Sequence, residues 1–194
     1  MATVLERKTT VGEYLDRDHA ADRKLEFVGG EVREMTGASR SHNLVCWNVL
    51  IALGRLMDRS RFEAYPGNMR VRAEAEGPFY YPDVAVAPAP PEILRDRGDT
   101  LLNPVAIFEI LSPSTETIDR REKLANYGRI PTLIDYVLVA QDEVRIDHLA
   151  RQADGSWKLV ILEGIDRTLA LPSIGVELSL AELYEHVLPD APEG

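Results

Sequence analysis

Residues 105–127 read VAIFEILSPSTETIDRREKLANY, and the first seven set the kind of sheet the chain builds. All of VAIFEIL except Glu109 is apolar, the pattern of a strand covered on both faces and so central in its sheet. An ionised carboxylate in mid-strand is costly to bury unless it is paired, protonated or bound to a cation. Glu109 is therefore either a satisfied core or rim glutamate or part of a site, and the strand alone leaves both readings open. SPST breaks the strand, and the stretch from Thr117 to Tyr127 has the character of a helix. On it, Arg120, Lys123 and Tyr127 are spaced by three and four residues and share a face. Lys123 either reaches toward Glu109 or is a solvated lysine paired with Asp119 four residues earlier.

Upstream, FYYPDVAVA (79–87) reads as another strand, in which Pro82 requires an edge or a bulge. Asp83 shares a side with Ala85, and Val84 and Val86 take the other. Asp83 is either a turn or cap aspartate or a neighbour of Glu109 on an adjacent strand. Residues 88–104 are rich in proline and charge and are expected to form a loop. Met69, Val71 and Ala73 alternate with Arg70, Arg72 and Glu74, as in a half-buried strand. SHNLVCWNVLIALGRLMDRS (41–60) has Val45, Val49, Ala52, Leu53 and Leu56 at helical spacing. Thr10 and Glu13 form a capping box, and Lys24–Phe27 and Glu31–Met35 flank a Gly29-Gly30 turn.

Downstream, TLIDYVLVA (132–140) is a strand, VRIDHLA and WKLVILE close a hairpin across Asp154-Gly155, and Ser179 with Glu182 caps a last helix. No repeat or linker divides the chain, so residues 1–194 are expected to form a single domain. The class is α+β, a mixed central β-sheet flanked by helices.

The net charge of -10 argues against broad non-specific coating of nucleic acid, which needs a basic surface. It leaves room for a local groove, for which Arg55, Arg59, Arg61, Arg70 and Arg72 are the candidates. The bland alternative is ordinary charge interspersion. The single cysteine, Cys46, excludes an intrachain disulfide and zinc motifs built on paired cysteines, and its neighbours Val45 and Trp47 suggest core packing. There is no signal-peptide run and no membrane-length apolar stretch, so a cytoplasmic protein without membrane partners is expected. Phosphate-loop, H-E-x-x-H and G-x-S-x-G motifs do not occur, so no nucleotide cofactor is expected. Four histidines are scattered without ligand spacing, and of these His42 stands at the start of the long helix.

If Asp83 and Glu109 lie on neighbouring strands, their mutual repulsion is relieved by a divalent cation, and all-oxygen ligands favour Mg²⁺ or Mn²⁺. A strand Pro-Asp, a second strand carrying Glu and a nearby lysine resemble the PD-(D/E)XK nuclease superfamily. LEFVGGEV, GASRSHN, YPDVAV, FEILSPST, the run from Asp119 to Tyr127 and RIPTLIDYVLVAQ are similar, more closely, to the Uma-two family of bacterial restriction endonuclease-like proteins. The similarity runs from Thr10 to Leu188. It implies a restriction-endonuclease-like core and a metal-dependent endonuclease that hydrolyses DNA. Asp83 and Glu109 are then metal ligands, Lys123 is the positive group on the attacking water and phosphate, and Glu26 is a further ligand or an orienting group. Leu111 stands where the superfamily places its lysine, and Lys123 on the helix is the displaced counterpart. His42 falls in a family-like motif as a pocket residue. A homodimer would address two strands with two sites. The alternative function is a catalytically silent nuclease-fold domain that binds nucleic acid or a protein partner.

Overall fold

The computed structural model describes residues 8–35, 37–112 and 116–188. In chain order it contains helix α1 (Val11–Ala20), strands β1 (Leu25–Val28) and β2 (Glu31–Glu34), and the long helix α2 (Arg40–Leu56). There follow β3 (Phe62–Pro66), β4 (Arg70–Arg72), β5 (Phe79–Tyr80), β6 (Val84–Pro88), β7 (Ile93–Arg95), β8 (Asp99–Leu101) and β9 (Ala106–Leu111). A π-helical segment, Ile118–Lys123, runs into α3 (Leu124–Tyr127). The chain ends with β10 (Asp135–Ala140), β11 (Arg145–Arg151), β12 (Trp157–Glu163), β13 (Thr168–Leu171), β14 (Val176–Ser179) and α4 (Leu180–Leu183).

VAIFEIL is central, as its apolar run requires. β9 sits inside a six-stranded mixed sheet of order β12-β11-β10-β9-β6-β3, parallel to β10 and antiparallel to β6. All six residues of β9 are buried, and their alternation divides them between two cores. Ala106, Phe108 and Ile110 pack with α2, α4 and the β13–β14 hairpin, whereas Ile107 and Leu111 pack with Tyr127, Tyr136 and Tyr80 on the opposite face. Glu109 belongs by register to that second face. A second six-stranded sheet, β2-β1-β5-β4-β8-β7, stands over it, with α1 closing a small third core around Tyr14, Phe27 and Phe79.

The capping box of α1 is complete: the Thr10 side chain accepts from Glu13 N, and the Glu13 carboxylate accepts from Thr10 N. The glycine turn is also present, with Gly29 and Gly30 both at positive φ. Three expectations are corrected, and one hairpin was not foreseen. FYYPDVAVA is two strands in two different sheets, split where Pro82 removes a donor and Asp83 bends into β6. Residues 88–104 hold the antiparallel β7–β8 pair, which joins the second sheet through β4. The β13–β14 hairpin, just before the last helix, escaped the periodicity reading. α4 is a single short turn, and Ser179 makes no side-chain capping bond. Among the described residues, no helix is long and apolar enough to cross a membrane.

Candidate metal and acid cluster

The antiparallel register of β6 and β9 sets Val84 opposite Phe108, so Asp83, one residue ahead of β6, arrives beside the second half of β9. Its Oδ2 accepts a hydrogen bond from Ile110 N at 2.7 Å. Its Oδ1 lies 3.2 Å from His42 Nε2. The start of α2 is held there by its cap, Ser39, whose side chain accepts from His42 N and whose hydroxyl donates to Gln141 just beyond β10. Asp83 and Glu109 are thus both brought to the carboxyl-terminal half of the parallel β9–β10 pair, where α/β sheets commonly bind ligands.

Glu109 Oε1 accepts from Lys123 Nζ at 3.0 Å and from the Tyr127 hydroxyl at 3.1 Å. Lys123 Nζ also lies 3.1 Å from Asp119 Oδ1 and 3.6 Å from Glu26 Oε1. Lys123 is therefore not the solvated lysine of the alternative reading: buried, it pairs with Asp119 along its own helix and also reaches Glu109. The wider π turn ends at Lys123 and leads directly into α3, which carries Tyr127. The segment is fixed from outside as well. Arg33 of β2 donates to Glu122 at 2.8 Å, and Asn126 donates to the Tyr80 hydroxyl at 2.7 Å. Glu26 comes from β1 in the opposing sheet and accepts from Tyr81 N at 3.3 Å.

Three carboxylates face this one ammonium, and the electrostatics follow from that imbalance. Burial holds the Glu109 carboxyl well above the usual carboxylate range, and the charges of Asp119, Asp83 and Glu26 push the same way against the pull of Lys123. Burial likewise raises Glu26. Lys123 is opposed by its own burial, yet the surrounding carboxylates keep it firmly an ammonium. Asp119 Oδ1 is buried without a well-directed hydrogen bond, although it lies within ion-pair reach of Lys123. A buried group of oxygen donors with an excess of negative charge is the environment that a hard divalent cation relieves, so the donor chemistry here suits such an ion. The donors come from β1, the bend before β6, β9 and the helical segment.

The sequence reading missed Asp119 as a member of the buried cluster, and its i, i+4 spacing from Lys123 was the signal that could have found it. It also missed that His42 and Cys46 face Asp83. The proposed arginine groove is not assembled as a single face. Arg70 is 2% exposed and forms a 2.6 Å ion pair with Asp18, with a further bond to Thr100. Arg55 pairs with Glu182 at 3.3 Å. Alternation along 69–74 pointed outward, but the second sheet has α1 on that side, so the charge is buried against Asp18. The Pro113, Ser114 and Thr115 part of the FEILSPST motif lies outside the described residues.

A buried His148–Asp135 contact at 2.7 Å, with Ser173 also donating to Asp135, is not a nucleophile relay. The serine is bonded to the carboxylate rather than to the imidazole.

The Uma2 family model, described as "Putative restriction endonuclease", matches residues 11–181. An uncharacterized protein of Synechocystis is 32% identical over 155 residues, covering 80% of this chain and 88% of that protein. A second from the same organism is 30% identical over 179 residues, 91% and 92% of the respective chains. A crystal structure from Anabaena variabilis, titled a "putative nuclease belonging to DUF820", superposes with a TM-score of 0.74 at 16% identity, covering 92% of this chain and 99% of that one. At that identity the match speaks for the fold.

Proposed function

We propose that this chain, which belongs to the Uma2 family, is a divalent-metal-dependent endonuclease that hydrolyses DNA phosphodiester bonds. The observation that carries this reading is the buried ammonium of Lys123 held among Glu26, Glu109 and Asp119, with Asp83 brought alongside on the neighbouring strand.

Asp83 and Glu109 would hold the ion, Mg²⁺ or Mn²⁺. When bound, it lowers the pKa of an attacking water and neutralises charge on the phosphoryl oxygens. The residues do the rest. Lys123 and Tyr127 both donate to Oε1 of Glu109, which orients the carboxylate. Fixed by carboxylates on several sides, Lys123 keeps its proton and supplies a positive charge to the attacking water and phosphate. Such preorganised electrostatic groups are worth a few kcal/mol in the transition state. Glu26 orients Lys123 from the opposing sheet. Two copies in a homodimer would present two such centres to the two strands of a duplex, an arrangement that sedimentation velocity tests.

The functional test is nicking of supercoiled plasmid. Mg²⁺ or Mn²⁺ should support cleavage, and Ca²⁺ should support binding without turnover because its coordination is larger and looser. Glu109→Gln should abolish cleavage. Absence of nicking by folded protein across metals and concentrations would favour the silent binding domain instead, a reading that the acidic surface supports.

A further inference from the structure

Beside Asp83 stand two side chains that the proposed hydrolysis does not use. His42 and Cys46 are one turn apart on α2 and share a face. Their ligand atoms and a carboxylate oxygen of Asp83 all lie within 4.8 Å of one another. The imidazole approaches Asp83 through Nε2 at 3.2 Å, and its Nδ1 is 3.7 Å from Cys46 Sγ. The His42 and Asp83 side chains are 15% and 16% exposed, so the group is sheltered but open to an entering ion.

We propose that His42, Cys46 and Asp83 form a binding site for a borderline divalent cation of the zinc class. The donor chemistry distinguishes it from the acid cluster. One nitrogen, one sulfur and one oxygen suit Zn²⁺, whereas Mg²⁺ takes oxygen alone. Tetrahedral bonds of 2.0–2.3 Å require donor separations of roughly 3.3–3.7 Å, so the trio closes on an ion by side-chain rotation. Three protein ligands leave a fourth position for water. The thiol is held high by burial and by the negative charge of Asp83 and Glu109. Binding as the thiolate displaces the thiol proton to solvent. Cys46 also packs against the main core, which fixes the sulfur in place. Because Asp83 belongs to both donor sets, zinc occupancy takes that carboxylate from the metal site of the proposed nuclease, a consequence that rests on that reading whereas the binding itself does not.

Cobalt(II) titration of the metal-free full chain tests the site, since cobalt occupies zinc sites and reports a thiolate ligand by a near-ultraviolet charge-transfer band. One equivalent should produce the band, and one equivalent of Zn²⁺ should displace it. Cys46→Ser, nearly isosteric, should remove the band and weaken Zn²⁺ binding by more than the roughly 10–100-fold that loss of an outer-shell partner costs. His42→Ala should weaken it comparably. Thermal melts confirm that each variant is folded. No band in the folded wild-type protein, or a band that persists in Cys46→Ser, overturns the site. A protein that fails to nick DNA but shows the band loses the nuclease reading and keeps this one.

Discussion

Glu109 is strained electrostatically and satisfied geometrically. Its two donors hold it in place, while burial and three neighbouring carboxylates oppose its charge. Glu109→Gln removes one negative charge and leaves Lys123 still paired with Asp119 and Glu26. The metal-free melting temperature should therefore rise, by about 2–4 °C for each kcal/mol relieved in a chain of this size, and a lowered midpoint would count against the repulsion. Lys123→Met does the opposite, leaving three buried carboxylates without their ammonium. Loss of one partner of a buried pair costs about 3–5 kcal/mol, so urea denaturation of metal-free protein should show a loss on that scale. Mn²⁺ should restore much of it while cleavage stays lost. Leu111, across the same face, is 7% exposed and packs in the second core with Tyr127 and Tyr136. Leu111→Lys in the Lys123→Met background should return part of the cleavage rate, at a cost in thermal midpoint from burying an ammonium among apolar side chains.

At the level of elements, α1 is tied to the second sheet by Arg70 and Asp18, an ion pair joined by the Tyr81 hydroxyl at 2.6 Å from the same Asp18 oxygen. Arg70→Met leaves Asp18 buried without its cation, and a loss of about 3–5 kcal/mol in urea denaturation is expected. Retention of DNA affinity by the folded variant would agree with a structural role, whereas a large loss of affinity at unchanged stability would return Arg70 to the nucleic-acid face. Alternation alone could not reveal this, since it says which side of a strand a residue takes and not what packs against that side. Capping is more local: Thr10 and Glu13 formed their box as read, because both partners lie within one turn. The Ser179–Glu182 spacing is equally good and yet makes no side-chain cap, since the short α4 turn leaves β14 directly.

For the whole molecule, the raised carboxyls dictate how stability depends on pH. A carboxyl with a higher pKa in the folded state binds more protons there than in the unfolded chain over the interval between the two values. Stability then falls as pH rises through that interval. Glu26 and Glu109 both act in this direction, so metal-free protein should lose stability from about pH 4.5 upward through their contribution. The slope should be shallower in Glu109→Gln and in saturating Mn²⁺. Thermal melts across pH 5–8 in buffers of equal ionic strength measure it, and an unchanged slope in the variant would remove Glu109 as its source.

Some features follow from the chain taken locally. The apolar residues around Glu109 read as a covered strand, the Gly29-Gly30 pair as a tight turn, and the spacing of Lys123 and Tyr127 as a shared helical face. The candidate acids were visible because a charge among apolar neighbours contradicts its surroundings. What gathers around each acid is decided by contacts between residues far apart in sequence. Glu26 arrives from another sheet, Asp119 turns inward with the π segment, His42 and Cys46 face Asp83 across the strand–helix junction, and Arg70 meets Asp18 beneath α1. Periodicity reports the direction of a side chain along its own element. The partner it meets depends on how sheets and helices stack, and burial makes that stacking decisive for every charge it encloses.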